Sequence, residues 1–307
     1  MIANGLKKTK YLLIIKKFND KFNVDRIKKM AENISTKHSV RIYVEPSFYK
    51  RNPLKQFNCF NEKIADKIDL CISIGGDGTI LHLNSLFQKI SVPPVLAFST
   101  GHLGFLINFH QNDLEKIVEH YLIKPSNFSI SPLFTLVCTK KRHGKLEKSY
   151  RVLNEITIER GEWLLPIPIE IFVNGKILTK TKADGIIVST PTGSTAYSMS
   201  AGGSLVSPMV SAILITPICP HTLSFRPLIV PLETEIKIRV PKFVCSQSDD
   251  ASAYLTFDGQ IREKLKDDDE IIIKASETRF PIVRKEKEES TWYQSLRDKL
   301  HWNSQKL

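Results

Sequence analysis

The run ISIGGDGTILH at residues 72–82 sets one carboxylate, Asp77, among three glycines where an apolar stretch gives way to a helical one. Gly75, Gly76 and Gly78 permit positive φ and let the backbone come close to a ligand. Thr79 is the expected N-cap of the helix 79–89, whose free N–H groups and positive dipole end suit phosphate. A carboxylate beside phosphates is repelled unless it takes a proton or helps hold Mg²⁺. A tight strand–helix turn in which Asp77 only caps the helix is the plain alternative. Neither GxxxxGK[ST] nor GxGxxG occurs, so a nucleotide site here is of another type.

A second stretch is odd by omission. From Gly185 to Phe225 there is no Asp, Glu, Lys or Arg over 41 residues. Linkers are usually solvated and charged, and Ser, Thr, Pro and Gly interrupt every apolar run that could enter a membrane. A buried wall of hydroxyls and amides facing an uncharged, hydrogen-bonding ligand fits better. Tyr197 offers a ring on which a base can stack, and Asp184 stands just before the wall, able to bind hydroxyls or an amide. Asn154-Glu155 interrupts the apolar alternation VLNEITI, where adjacent polar residues are costly unless satisfied. FDGQ at 257–260 reads equally as a hairpin turn, His82 as a helix-surface residue, and the Asn154-Glu155 pair as a strand edge.

The elements that must position these residues follow from periodicity. Strands at 11–18, 40–46, 69–74 and 93–99, with helices at 25–38 and 79–89, predict a doubly wound parallel α/β domain over residues 1–109. Ligands gather beyond the carboxyl ends of such strands. Residues 110–283 open with one helix and continue as a procession of strands, with a two-residue hairpin signal at Asn174-Gly175. These predict a β-sandwich-like domain. The tail 284–307 returns to helix, with Trp292, Leu296 and Leu300 forming an apolar stripe expected to dock on the first domain.

Composition bounds the rest. Apolar residues make up 42% and charged ones 25%, as in ordinary globular chains. The net charge of +12 is concentrated in the first 70 residues. No nucleic-acid module and no bilayer-length run accompanies it, so neither nucleic acid nor membrane is expected as a partner. Five scattered cysteines show no zinc-like spacing and read as reduced thiols. The N-terminus carries no apolar run before a cleavage site, and the expectation is cytoplasmic.

GGDGT, the Asn154-Glu155 pair, DGIIVSTPTGSTAYSMSAGG, PICPHTLSFRPLIVP and FDGQ, in this order, resemble the NAD kinases. PICPHTLSFRP and the closing LHWN are similar to the eukaryotic branch, whereas STGHLGF resembles the bacterial wording of its loop. GGDGT alone also resembles loops of diacylglycerol and sphingosine kinases and of phosphofructokinases. The resemblance implies an α/β domain joined to a β-sandwich domain, with transfer of the γ-phosphoryl group of ATP to the 2′-hydroxyl of the adenosine ribose of NAD. It implies Mg²⁺ or another divalent cation with ATP, and a homotetramer or homodimer. By the same resemblance Asp77 is the proton acceptor. Gly78, Asn154, Glu155, Asp184, Thr192, Thr195, Ala196, Tyr197, Ser198, Met199, Ser200 and Gln260 fall on dinucleotide-binding positions, as do His82, Phe105, Lys182 and Cys219. Gly75, Gly76, Gly78 and Thr79 form the loop for the ATP phosphates. NAD against NADH and ATP against other donors stay open. The rival readings are a lipid kinase with an apolar acceptor pocket, and a dinucleotide sensor that binds without catalysis.

Overall fold

The computed structural model describes residues 9–16, 24–101, 104–161, 165–241, 253–266, 269–285 and 291–303. The chain forms two compact units, one of Met1–Pro132 with Pro281–Leu307, the other of Leu133–Phe280. Sequence patterning set the change at residue 110. The helix Leu114–Ile123 nevertheless buries Leu114, Ile117 and Val118 in the core of the first unit.

The first unit is built on a sheet whose strands run in the order Phe57–Cys59, Val40–Val44, Lys10–Lys16, Leu70–Ile74, Val95–Ser99, Phe280–Lys285 and Phe128–Leu133. The first five pair in parallel. Leu70–Ile74 and Val95–Ser99 are apolar but for Ser73 and Ser99 and are buried at every position, because neighbouring strands and covering elements leave neither face wet. The helix Val24–Lys37 buries Ile27, Met30, Ala31 and Ile34, a spacing of three and four residues that makes one stripe. Each large side chain so buried contributes about 1.5–3 kcal/mol. Strand order reverses between Lys10–Lys16 and Leu70–Ile74, and this is the switch point beside which α/β sheets bind ligands. The expected strands are present with ends shifted by one or two residues. The short strand Phe57–Cys59 and the helix Pro46–Arg51 were not foreseen.

The second unit is one antiparallel hydrogen-bonded sheet of eleven strands. Its alternating residues fill a single core, with Ile167, Ile169 and Ile171 inside and the intervening residues partly exposed. The two layers expected of a sandwich are thus parts of one continuous ladder. Asn174 and Gly175 make the tight turn, with φ of 48° and 78° joining Val173 to its partner Lys176. The long strand Lys176–Ser189 changes character along its length, exposed at its start and fully buried from Gly185 onward. That second half pairs with Glu155–Arg160 and with Ala212–Pro220.

Candidate active site

Each unit carries its own group of the expected site residues. In the first, the strand Leu70–Ile74 runs into Gly75, and the helix Asp77–Ser85 starts with Gly76 as its N-cap. The helix therefore begins two residues earlier than expected. Thr79 is not the cap but a buried residue inside the first turn, its N–H donating to Gly76 O at 2.9 Å. Gly76 has φ −99° and Gly78 has no positive φ, so neither is there for left-handed backbone. A Cβ added at either would meet nothing within 4 Å. What these glycines leave is open space over the start of the helix.

Asp77 is held by backbone. Its Oδ2 accepts the Phe105 N–H at 2.9 Å and its Oδ1 the Leu106 N–H at 3.2 Å. A side chain at Gly104 would overlap the Asp77 carboxylate, so glycine is required there. Burial pushes the Asp77 carboxyl above its ordinary range, against the pull of the two N–H donors and of Lys299. The carboxylate is thereby a stronger base than an exposed one. His82 lies about 140° round the helix from Asp77. Its Nε2 is 2.6 Å from Glu45 Oε1, and that bond raises the imidazole pKa more than burial lowers it. His82 is thus the partner of a carboxylate rather than a solvated helix residue. Within STGHLGF, His102 and Leu103 lie outside the described residues.

In the second unit, Asn154 and Glu155 are buried at the head of the strand Glu155–Arg160. They are fixed by a residue the sequence did not single out. The Asp258 carboxylate accepts the N–H groups of Leu153, Asn154 and Glu155 at 2.9, 2.8 and 3.2 Å. Asp258 has φ 48° in the turn between Ala253–Phe257 and Ile261–Lys264, so FDGQ is a hairpin turn and also a clamp. The only signal in the sequence was the unusual FDGQ itself.

Burial first, then the charge of Asp258, raise Glu155 to about 8, opposed by the Tyr197 N–H bonded to it. Glu155 Oε2, Ser189 Oγ and Thr192 Oγ1 are buried without a hydrogen-bond partner. Such atoms cost about 1–3 kcal/mol each unless something pairs with them.

The segment after Ser189 is stitched to the same pair. Thr190 donates through N to Asn154 O at 2.9 Å and through Oγ1 to Leu153 O at 2.6 Å. Gly193 packs so closely on the Asn154 backbone that a Cβ would overlap it. Thr192–Thr195 forms a 3₁₀ turn and Tyr197–Ser200 a single helical turn. Ser198 is fully buried and its Oγ is bonded to Thr216 Oγ1 at 2.8 Å, so this hydroxyl faces the interior. Thr195, Ala196 and Met199 are half-buried and Ser200 is exposed.

Around Tyr197, 40% exposed, the charged residues gather. Its phenol is pushed up to about 12, by burial first and then by a hydrogen bond to Glu159, with Cys219 and Asp184 adding smaller effects. Asp184 Oδ1 is 2.9 Å from Arg160 Nε. Cys219, exposed and at φ 44°, falls between the pairs Ala183–Pro220 and Gly185–Ile218. Lys182 and Gln260 are exposed. The charge-free run is a buried wall only in part. Residues 185–194 and 212–217 are buried, but 219 and 221–224 are exposed, as are 226–229. Leu223 is 85% exposed. Among the described residues no three His, Cys, Asp or Glu side chains are grouped to ligate a metal. Both Asp77 oxygens are already bonded to backbone.

Comparison with known proteins agrees across both units. The ATP-NAD kinase N-terminal domain matches residues 12–124 and the ATP-NAD kinase C-terminal domain residues 153–285. ATP-NADH kinase YEF1 of Saccharomyces cerevisiae is 37% identical over 95% of this chain and 64% of its own length. The NAD(+) kinase of the same yeast is 42% identical over 76% of this chain and 45% of its own. The chain thus spans about half to two thirds of these relatives. The crystal structure of yeast NADH kinase complexed with NADH superposes with a TM-score of 0.88 at 31% identity, covering 98% of this chain and 89% of that one. The chain belongs to the ATP-NAD kinase family.

Proposed function

We propose that this chain is an NAD kinase, transferring the γ-phosphoryl group of ATP to the 2′-hydroxyl of the adenosine ribose of NAD to give NADP and ADP. The observation that carries this is Asp77, a carboxylate fixed by two backbone N–H groups and made more basic by burial. It lies at the first turn of a helix that begins beside the sheet's switch point. Asp77 orients the acceptor hydroxyl and takes its proton as the O–P bond forms, help worth about 10²–10⁴-fold. The loop of Gly75, Gly76, Gly78 and Thr79 holds the ATP phosphates in the open space left at Gly76 and Gly78, beside the start of the helix. In the second unit Asn154, Glu155, Asp184, Thr192 and the 195–200 turn bind NAD. The unpaired Glu155 Oε2 and Thr192 Oγ1 support this, being groups that a polyhydroxyl ligand would satisfy.

The described chain presents no ready-made metal cage, so the divalent cation comes with the ATP phosphates, as Mg²⁺ commonly does. It would neutralise charge on them, and no step assigned to Asp77 passes through it. NADH is the second reading for the acceptor, favoured because the superposed yeast structure is named an NADH kinase.

A homotetramer or homodimer is also proposed. Among the described residues the strand Leu228–Pro231 pairs on one side only, and it exposes Leu228 and Ile229, a surface suited to a second copy. Light scattering on the purified chain decides this. The compartment proposed is the cytoplasm, in keeping with the free thiols of Cys59, Cys71, Cys138 and Cys219. A fluorescent fusion checks it.

The deciding assay is NADP formation from NAD or NADH with ATP and Mg²⁺, read by an NADP-specific dehydrogenase, with Asp77→Asn in parallel. Activity that needs liposomes and an apolar alcohol instead would favour the lipid-kinase reading. NAD binding without product would favour the sensor.

A further inference from the structure

The helix Thr291–Leu300 does more than close the first unit. Leu296 is buried and Trp292 and Leu300 are half-buried, so the apolar stripe seats the helix and fixes its rotation. That rotation aims Lys299 at the strap holding Asp77. Lys299 Nζ donates to Gly104 O and to Ser295 Oγ, the latter at 2.7 Å and one turn back on the same helix. The ammonium also lies 5.0 Å from the centre of the Phe105 ring, within cation–π range. Gly104, Phe105 and Leu106 are consecutive. The carbonyl bound by Lys299 therefore belongs to the residue just before the two whose N–H groups hold Asp77.

We propose that Lys299 is a positioning residue for the reaction: it fastens the Gly104–Leu106 strap from the C-terminal helix and so fixes the orientation of the Asp77 carboxylate. This rests on the reading of Asp77 as proton acceptor. The contacts favour positioning over simple helix anchoring, because two of the three fall on the strap and only Ser295 lies on the helix itself. Asp77 and Lys299 also act on each other by charge, while burial lowers the Lys299 pKa. A lysine is disfavoured in such a place unless its charge is used. Without Lys299 the carbonyl of Gly104 loses its donor, and the two N–H groups lose the restraint that aims them. Misplacement of a reacting group by about 1 Å can cost about 10²-fold in rate.

The test compares Lys299→Met, which keeps the apolar stem, Lys299→Gln, which keeps a donor, and Lys299→Arg, which keeps the cation. Hydrogen exchange at the Phe105 and Leu106 amides is read alongside kinetics. The expected result for Lys299→Met is a fall in kcat of roughly 10–100-fold, with KM for NAD changed little. Exchange at those two amides should be faster by about tenfold while the rest of the unit is unchanged. Lys299→Arg should recover most of the loss and Lys299→Gln part of it. Wild-type kcat and exchange in Lys299→Met would overturn the proposal. So would an equal loss in all three variants with a general rise in exchange, which marks a fold effect. If the wild type lacks kinase activity, the reading of Asp77 fails, whereas the exchange data still decide whether Lys299 holds the strap. Should Lys299→Met not fold, the Gln and Arg variants carry the same comparison.

Discussion

Asp258 Oδ1 lies 3.2 Å from the backbone nitrogen of Glu155, and the Asp258 nitrogen donates back to the Glu155 carbonyl at 3.0 Å. This reciprocal pair joins residues more than a hundred positions apart. It sets the buried Glu155 carboxyl beside a second carboxylate, and the two groups have opposite tasks. Asp258 satisfies backbone, and Glu155 is left with one oxygen unpaired.

Removing the clamp should be expensive. Asp258→Ala leaves three N–H groups without their acceptor, each costing about 1–3 kcal/mol where water cannot reach. A loss of several degrees in Tm is expected, with KM for NAD raised at least tenfold. Asp258→Asn keeps one acceptor oxygen and should fall between. Thermal melts with steady-state kinetics check both, and an unchanged Tm in the alanine variant would remove the clamp from the account.

Glu155 makes stability depend on pH in a direction unusual for a carboxylate. Its folded value of about 8 stands above the ordinary 4.5, so between those values the folded state retains a proton that the unfolded chain has released. Stability therefore declines as pH rises from about 4.5 to 8. Glu155→Gln should remove that decline, melting higher than wild type at pH 8 and equal to it near pH 4.5. The same variant should bind NAD less well. Melting curves that stay parallel across this range would show that the carboxyl is not protonated in the fold.

Asp77→Asn should lower kcat by about 10²–10⁴-fold, with a small loss of Tm because one strap N–H loses its acceptor. Asparagine keeps the size and one acceptor for the strap but cannot take the proton. Retention of near wild-type kcat would end the assignment of Asp77 as base.

Two glycine substitutions should behave differently. A methyl group at Gly104 collides with the Asp77 carboxylate, so Gly104→Ala is expected to abolish most activity. Gly78 has open space and sits in the first turn of its helix, where alanine is the better helix former by up to about 1 kcal/mol. Gly78→Ala should therefore hold or raise Tm while raising KM for ATP, because the methyl group fills space assigned to phosphate. Wild-type KM for ATP in this variant would move the phosphate site elsewhere.

Much of the first unit could be read from apolar runs such as YLLII and LCISI, because a strand buried on both faces leaves a continuous record. Phe57–Cys59 left none, since only Phe57 of its three residues is buried. The start of the helix at Asp77 was missed because Thr79 reads as the N-cap and the glycines as a loop before it, whereas Gly76 is the cap and Gly78 lies in the first turn. Asp77, Asn154, Glu155 and Asp184 were visible as polar residues in costly or unexpected places. Asp258 and Lys299 were not. Each acts on main-chain atoms of a distant segment, and a side chain bonded to backbone places no demand on the residue types it meets. The charge-free run reads as a buried wall, yet absence of charge does not separate a lined wall from an exposed loop, and at 219 and 221–224 it is exposed.

The strand Phe280–Lys285 occupies the sheet place between Val95–Ser99 and Phe128–Leu133, and the helix bearing Lys299 follows it. During synthesis the sheet of the first unit must wait for about 150 further residues after Leu133, roughly 7–30 s at ordinary elongation rates. Throughout that interval the strand Val95–Ser99 is covered on this edge at Phe98 and Ser99 by the short strand Phe109–His110, while the place beside Val95 stays open to mispairing. The whole second unit is made in the meantime. A ribosome that stalls before residue 280 would thus release a chain with its second unit nearly complete and its first sheet open, and with the strap that holds Asp77 lacking its tie from Lys299.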